Sequence, residues 1–254
     1  MEIRFDQHVV LITGAGTGIG RAIALEFGRC GADVVVNYDK SREAAREVVR
    51  EIGSMGQKSV ALRADVSKKN GVESLIKRTL DEFNRIDILV NNAGNIIKRD
   101  RFMDISEQLW DRAAEVNLKS VFLCSQAVVP IMERGGGGRI INICSGVIHS
   151  GGAAQKAVHY AAAKAGIVSL TRGMAKELAA KNILVNGINP GIIATPLQEK
   201  FSTVELRESN KERIPLRREG LPEEVAAVVV FLASKYASYI VGEIIEVNGG
   251  LLMV

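Results

Sequence analysis

The chain has 254 residues, of which 47% are hydrophobic and 24% are charged, an ordinary balance for a soluble globular protein. The formal net charge is +4, but Lys and Arg alternate with Asp and Glu, which is typical of solvated helix faces. No apolar run approaches the ~20 residues of a membrane span, and residues 1–8 lack the apolar stretch of a signal peptide. We therefore expect a cytoplasmic protein that binds neither nucleic acid nor membrane.

The three cysteines, Cys30, Cys124 and Cys144, lie far apart and match no metal or redox spacing. A chain of this length buries enough apolar surface to be stable without a disulfide or a metal ion. We predict that the three thiols are reduced core side chains and that the protein has no metal site.

Short runs rich in Val and Ile recur along the chain and are apolar on both faces, which indicates strands of a buried parallel sheet. The stretches between them have helical spacing, for example residues 21–30, 42–52 and 72–83. Strands that alternate with helices indicate right-handed βαβ units. We predict an α/β fold, a single doubly wound Rossmann-type domain over residues 1–254 with a seven-stranded parallel sheet flanked by helices. The predicted strands are residues 9–13, 34–36, 59–62, 86–90, 139–143, 183–188 and 244–247.

Residues 194–222 lack a strand pattern and hold three of the five prolines, Pro196, Pro215 and Pro222. We predict that they form a helical excursion beside the active site. Excursions of this kind often act as lids, so this segment is a candidate substrate lid.

The first predicted strand runs into the segment TGAGTGIG, residues 13–20, and then into a helix that starts near Arg21. Glycines let the backbone turn sharply and approach a pyrophosphate at the helix N-terminus, where free N–H groups point outward. A glycine-rich turn alone is weak evidence, but its place between the first strand and the first helix favours a dinucleotide site.

Tyr160 and Lys164 are four residues apart in a stretch, residues 158–180, that has a helical pattern, so they share one helical face. A nearby ammonium favours tyrosinate, and we expect it to lower the pKa of Tyr160 from about 10. That shift suits general acid–base chemistry near neutral pH. Ser145 ends the strand that begins at Arg139, where its hydroxyl can meet a substrate oxygen and stabilise developing charge.

Together these motifs resemble the short-chain dehydrogenase/reductase family, over essentially the whole chain. The spacing of the glycine turn and the segments NNAG and YAAAK, residues 91–94 and 160–164, carry the resemblance. It implies an NAD(P)-dependent enzyme that interconverts a secondary alcohol and a ketone. In that family the matching tyrosine moves the proton, the serine holds the oxygen, the lysine binds the nicotinamide ribose and the asparagine supports a proton-relaying water. These catalytic positions are Asn117, Ser145, Tyr160 and Lys164.

The resemblance also implies how the cofactor lies across the site. Asp65 and Val66 would contact the adenine, Asn91 and Gly94 would lie on the cofactor side of the cleft, and Ile193 and Thr195 would bind the nicotinamide amide. The full set of expected cofactor-binding residues is Gly14, Thr17, Gly18, Ile19, Gly20, Asp39, Asp65, Val66, Asn91, Ala93, Gly94, Tyr160, Lys164, Pro190, Gly191, Ile193 and Thr195.

The choice between NAD and NADP depends on the end of the second strand. An acidic residue there binds both ribose hydroxyls and repels a 2′-phosphate, whereas an arginine attracts it. Tyr38 occupies the usual acidic position and Asp39 follows, while two positions that are basic in many NADP-using relatives hold Asp39 and Thr17. NAD is therefore favoured, although Lys40 and Arg42 keep NADP open.

The substrate is less determined, because the segment from Ser145 to Tyr160 is two residues longer than in most relatives. Residues 95–99, 140–145 and 189–196 resemble gluconate and deoxygluconate dehydrogenases, which implies a polyol, sugar or sugar-acid substrate. An Arg at the cleft mouth can hold a carboxylate in a bidentate manner. The candidate substrate residues are Lys98, Arg99, His149 and His159, each of which has a surface or packing role as its alternative.

Two alternatives remain. Residues 213–226 and the last six residues are similar to 3-oxoacyl-carrier-protein reductases, which implies a basic surface for an acidic carrier and a homotetramer assembled through helix and C-terminal contacts. The other alternative is a dinucleotide-binding sensor without chemistry, although a complete catalytic set argues against it. The residues available for a carrier surface are Arg134, Arg172, Lys176 and Lys181.

Overall fold

A computed structural model describes residues 2–253. All seven strands lie in one parallel sheet in the order β3-β2-β1-β4-β5-β6-β7. The strand order reverses between β1 and β4, so the fold is doubly wound, as predicted. The strands are β1 Val9–Ile12, β2 Asp33–Tyr38, β3 Ser59–Arg63, β4 Ile88–Asn91, β5 Gly138–Ile143, β6 Ile183–Pro190 and β7 Ile244–Val247.

Helices cover both faces of the sheet. Along β1, Val10 and Ile12 pack into the core beneath α1 and α10, whereas Val9 and Leu11 pack into the core beneath α3, α5 and α7. Because both faces are buried, the central strands consist mainly of apolar residues on both faces, which made them recognisable. The helices are α1 Gly18–Arg29, α2 Arg42–Ser54, α3 Lys69–Phe83, α4 Glu107–Ala114, α5 Ser120–Arg134, α6 Val147–Ser150, α7 Val158–Leu178, α8 Pro196–Phe201, α9 Val204–Arg213 and α10 Pro222–Ala233.

The segment around Asn117 departs from a regular α-helix. A π-helical turn, Glu115–Lys119, separates α4 from α5 and holds Asn117. The Asn117 amide donates to the carbonyl of Ala113, four residues earlier, at 2.9 Å. A side chain that donates to a helical carbonyl competes with the backbone N–H that normally binds it. π-Helical turns occur frequently at functional sites.

Residues 194–222 contain the helices α8 and α9, as the predicted helical excursion requires, and a non-helical stretch over residues 214–221. Neither helix contains a buried residue. The segment is closed at its base by a bridge between Ile193 and Gly220. Arg207 of α9 binds the nearly buried Glu219 through two hydrogen bonds of 2.9 and 2.6 Å.

The cysteines differ in burial. Cys124 and Cys144 are buried, and burial raises the pKa of their thiols to about 12 and about 11. Cys30 is partly exposed, so it is not the core side chain that was predicted. Within residues 2–253, no helix is long and apolar enough to cross a membrane.

Candidate active site

The carboxyl ends of β1, β4, β5 and β6 meet at one edge of the sheet, and the predicted site residues follow these ends. Gly14 comes two residues after β1, Gly94 three after β4, and Ser145 two after β5. This edge is where ligands bind in doubly wound sheets. The chain order of the motifs thus brings them together in space.

The glycine turn packs tightly against the segment after β4. Gly14 has φ +65°, and a Cβ added to it would lie 3.0 Å from the Ala93 Cα. The Asn92 amide donates to the carbonyls of Thr13 and Gly14 at 2.9 and 3.1 Å. The buried Thr13 hydroxyl accepts the N–H groups of Asn92 and Ala93 at 3.0 Å. Sequence reasoning did not single out Thr13 and Asn92, although Asn92 is the second residue of NNAG.

The N-terminus of α1 is open toward the cleft. Its first helical hydrogen bond runs from the Arg21 N–H to the Thr17 carbonyl, and no side chain caps it. The N–H groups of residues 18–20 therefore precede the helical ladder, as an anion site requires. A Cβ on Gly18 would come within 3.4 Å of Thr195, so the glycine keeps this space free. These residues fit the pyrophosphate of a dinucleotide.

The end of β2 is tied to the glycine turn by Asn37, which is 1% exposed. Its side-chain oxygen accepts the Gly14 N–H at 3.3 Å, and its amide donates to the carbonyls of Leu62 and Ala64. Tyr38 is buried, whereas Asp39 and Lys40 are exposed. The carboxylate of Asp39 is thus the accessible acidic group at the end of this strand.

Two expected cofactor residues make side-chain contacts within the protein. Asp65 accepts the hydroxyl and N–H of Ser67 at 2.7 and 3.0 Å; burial opposes ionisation, but these bonds prevail and lower the pKa of Asp65. The Asn91 side chain is buried, and its amide donates to Ser125 and Asn142 at 3.1 and 2.9 Å. Its Oδ1 has no hydrogen-bond partner among the described residues, and the expected cofactor contact of Asn91 stays a prediction.

The remaining expected cofactor residues surround these elements. Val66 and Ile193 are buried at 7% and 5% exposure, so their side chains wall the site rather than protrude from it. Thr195 accepts the Gln198 N–H at 3.2 Å and caps α8. Pro190 ends β6, and Gly191 lies against the Asn248 backbone, where a Cβ would come within 2.7 Å.

Ser145, Tyr160 and Lys164 converge at the end of β5. The Lys164 ammonium is 3% exposed, donates to the Ile143 carbonyl at 2.7 Å, and lies 5.8 Å from the Tyr160 ring centroid. Burial lowers the pKa of Lys164 to about 8. The Val147 N–H donates to the Ser145 hydroxyl oxygen at 3.3 Å, which leaves the hydroxyl hydrogen available to another acceptor.

The expected lowering of the tyrosine pKa is not found. Burial raises the pKa of Tyr160 to about 12, and a hydrogen bond with Ser145 opposes this only in part. The prediction assumed a direct influence of Lys164, but its ammonium is directed to a backbone carbonyl instead. Desolvation of the phenol therefore outweighs the hydrogen bond with Ser145.

Asn117 is fully buried beside Lys164. Its side-chain oxygen accepts the Asn95 N–H at 2.9 Å and its amide donates to the Asn95 carbonyl at 2.9 Å. A Cβ on Gly94 would lie 2.9 Å from the Asn117 oxygen and 3.2 Å from the Lys164 Nζ. Because Gly94 has no side chain, its backbone lies close against both Asn117 and Lys164.

The four candidate substrate residues differ in their partners. Lys98 is exposed and paired with Asp100 at 2.6 Å, so it is a surface charge. Arg99 is partly buried, which lowers its pKa, and its Nε has no hydrogen-bond partner among the described residues. His159 is 2% exposed and bonds the Ile96 carbonyl through Nε2, which ties the loop before Tyr160 to the segment after NNAG. His149 binds Glu246 at 2.8 Å.

Comparisons with known proteins agree with this geometry. A sequence profile described as enoyl-(acyl carrier protein) reductase matches residues 14–252. The 3-oxoacyl-[acyl-carrier-protein] reductase FabG of Staphylococcus epidermidis is 44% identical over 243 residues, which is 96% of this chain and 98% of that protein. The corresponding reductase of Synechocystis sp. is 44% identical over 248 residues, 97% of each chain.

A solved structure extends the likeness to three dimensions. The 7α-hydroxysteroid dehydrogenase complexed with NADH and 7-oxoglycochenodeoxycholic acid superposes with a TM-score of 0.92 at 38% identity, covering 98% of this chain and 96% of that one. The chain belongs to the short-chain dehydrogenase/reductase family. It is an NAD(P)-dependent oxidoreductase that acts on CH–OH groups.

Proposed function

We propose that this enzyme reduces the keto group of a 3-oxoacyl thioester, with Tyr160 as the proton donor. The observation that carries the proposal is the convergence of Ser145, Tyr160 and Lys164 at the end of β5 in a chain whose relatives are named as 3-oxoacyl-[acyl-carrier-protein] reductases. Burial raises the pKa of Tyr160 to about 12, so its phenol keeps its proton near neutral pH. A protonated phenol can transfer that proton to the oxygen that forms when hydride reaches a ketone.

In this mechanism each side chain has a separate task. When bound, the nicotinamide supplies the hydride. The Ser145 hydroxyl, oriented by the Val147 N–H, donates to the substrate oxygen and stabilises its developing negative charge. Tyr160 then transfers its proton to that oxygen. Lys164, with its pKa lowered to about 8, can return a proton to the phenolate through a water that Asn117 helps to hold.

We favour a 3-oxoacyl substrate, which the sequence suggested only as an alternative, over a sugar acid. The relatives that are 44% identical over nearly the whole chain are named as 3-oxoacyl-[acyl-carrier-protein] reductases. Arg172 and Lys176 lie four apart on the outer face of α7 and are both exposed, as an acidic carrier would require. Lys181 contributes less, because it pairs with Glu133 at 2.6 Å.

One observation favours a sugar acid as the second candidate substrate. Arg99 keeps a partly buried guanidinium whose Nε has no partner among the described residues, beside the loop that leads to Tyr160. Desolvating an unpaired charge is costly, and a substrate carboxylate would offset that cost through a bidentate contact.

A substrate panel separates these candidates. Purified protein is mixed with NADH or NADPH and acetoacetyl-coenzyme A, or with NAD or NADP and gluconate or a polyol, while absorbance of the reduced cofactor is followed. We expect turnover of the thioester. Turnover of gluconate alone, lost in Arg99→Gln but kept in the matched Lys98→Gln, would replace the first proposal with the second. Absence of turnover with every substrate would favour a non-catalytic sensor.

We further propose that NAD is preferred over NADP, because Asp39 is the exposed acid at the end of β2 and repels a 2′-phosphate. Asp39→Ser is expected to shift the ratio of kcat/KM for NADH to that for NADPH about tenfold toward NADPH, roughly the ~1.4 kcal/mol of a charge-assisted hydrogen bond. Asp81→Ser, at an exposed site on α3, is the matched control. An unchanged ratio in Asp39→Ser would refute the assignment.

We propose a homotetramer that uses the exposed apolar side chains around α4 and α5 and at the C-terminus. Phe102, Met103 and Trp110 are 67%, 86% and 46% exposed, and Met253 is 83% exposed. Large apolar groups exposed together mark interaction surfaces.

The lid role of residues 194–222 and the cytoplasmic location also remain proposals.

A further inference from the structure

Glu246 of the last strand lies at the centre of a hydrogen-bonded cluster beside Ser145. Its Oε1 accepts the Asn189 amide at 2.6 Å and the His149 Nε2 at 2.8 Å, and its Oε2 accepts the Asn248 amide at 3.1 Å. Asn189 and Glu246 are direct partners in the parallel pairing of β6 and β7. The cluster therefore joins three separate segments to the end of the sheet.

The contact with Ser145 passes through Asn189. The residues on either side of Ser145 donate their N–H groups to backbone carbonyls of β6, at 2.8 and 3.0 Å. The Ser145 N–H instead donates to the side-chain oxygen of Asn189, at 3.1 Å. The serine backbone is thus held by a side chain, and its position depends on how that side chain is held.

Asn189 is 1% exposed, so its amide has no access to solvent. Its oxygen faces Ser145 and its NH2 group faces Glu246, and the carboxylate therefore sets the orientation of the whole amide. Glu246 itself borders a cavity of about 270 Å³. The hydrogen bonds to Asn189, His149 and Asn248 hold its carboxylate beside this cavity.

The cluster also reaches the segment between Ser145 and Tyr160, called the substrate loop below, and the C-terminal segment. His149 lies in α6, the short helix that follows Ser145, so its bond to Glu246 ties the substrate loop to β7. Asn248 donates to the Leu252 carbonyl at 2.9 Å, which ties the C-terminal segment to the same carboxylate. Glu246 thus connects Ser145, the substrate loop and the C-terminal segment.

We propose that Glu246 is a positioning residue for Ser145, acting through Asn189, and that it fixes the substrate loop through His149. This inference rests on the proposed role of Ser145 in holding the substrate oxygen. A carboxylate suits the site because it only accepts hydrogen bonds, whereas all three of its partners donate. A glutamine would turn an NH2 group toward one of these donors and break at least one bond.

Glu246→Gln tests the proposal with two readouts. In steady-state assays at saturating cofactor, kcat for the substrate identified by the panel is expected to fall at least about tenfold, because displacements below 1 Å at a reacting group are costly. The affinity for cofactor, measured by its fluorescence, is expected to stay unchanged. In hydrogen exchange followed by mass spectrometry, a peptide spanning residues 143–150 is expected to exchange faster than in the wild type. Glu243→Gln, an exposed site on the approach to β7, is the matched control.

The two readouts separate failure of this inference from failure of the proposed function. Hydrogen exchange needs no substrate, so it decides the inference even if no substrate in the panel is turned over. Unchanged exchange in residues 143–150 overturns the proposal, whether or not kcat falls, and so does an unchanged kcat. If Glu246→Gln does not fold, Glu246→Asp keeps the charge on a shorter side chain and is measured in the same way.

Discussion

Tyr160→Phe is expected to lower kcat by roughly 10²–10⁴-fold, the contribution of a positioned general acid, while the protein stays folded and binds cofactor. The substitution removes only the phenolic oxygen, the group that is bonded to Ser145 and that supplies the proton. The aromatic ring remains to fill the same space near Lys164. Turnover and cofactor affinity are thus expected to separate in this variant.

The measurement is kcat under saturating substrate and cofactor, together with cofactor binding by fluorescence. Tyr239→Phe is the control, because Tyr239 is fully exposed and loses the same oxygen outside the site. A kcat close to that of the wild type in Tyr160→Phe would show that another group moves the proton. A loss of cofactor affinity equal to the loss of kcat would show that the tyrosine acts in binding rather than in chemistry.

The sheet was predictable because burial on both sides leaves a simple signature. Every residue of β1 and β4 is buried, and only Asn91 at the end of β4 interrupts their apolar sequence. The order of motifs along the chain then determined the site, since Gly14, Ser145 and Pro190 each follow or end a parallel strand. Because all the strands are parallel, such residues lie at the carboxyl edge of the sheet for any loop conformation.

Properties that depend on contacts distant in sequence were not predictable. His149 and Glu246 are 97 residues apart, and no local pattern relates them. The pairing of Lys98 with Asp100, and the lack of a partner at the Arg99 Nε, depend on loop geometry that spacing alone cannot supply. The sequence therefore suggested Lys98 and Arg99 equally as substrate-binding residues, whereas in the structure only Arg99 has a side-chain nitrogen that is buried without a partner.

The pKa of Tyr160 illustrates the same limit at the centre of the site. Helical spacing correctly placed Lys164 on the face of Tyr160, and the centroid distance is 5.8 Å. Spacing alone gives no measure of burial, nor does it show that the ammonium is bound to the Ile143 carbonyl. The carbonyl belongs to β5, a strand distant in sequence from α7, and the burial depends on the whole fold.

Lys164→Met is expected to lower activity sharply and, at the same time, to stabilise the fold near pH 7. The ammonium is 3% exposed and has one backbone carbonyl as its acceptor. The fall in its pKa from 10.5 to about 8 corresponds to about 3 kcal/mol of cost for the buried charge. Losing the bond to the Ile143 carbonyl costs about 1–2 kcal/mol in return. The free energy of unfolding is therefore expected to rise by about 1–2 kcal/mol.

The dependence on pH gives the sharper test. Between pH 8 and 10 an unfolded Lys164 keeps its proton while the folded one loses it, so the contribution of this lysine to stability rises with pH. Above about pH 9 the raised pKa values of Cys124 and Cys144 act in the opposite sense, because the unfolded thiols ionise first, and above pH 10 that of Tyr160 does the same. Urea unfolding at pH 7, 8, 9 and 10 is therefore compared between variants: relative to Lys164→Met, the stability of the wild type and of the control Lys176→Met, an exposed site on α7, is expected to rise with pH. Equal slopes in Lys164→Met and the wild type would mean that this lysine is not the buried cation on which the proton relay depends.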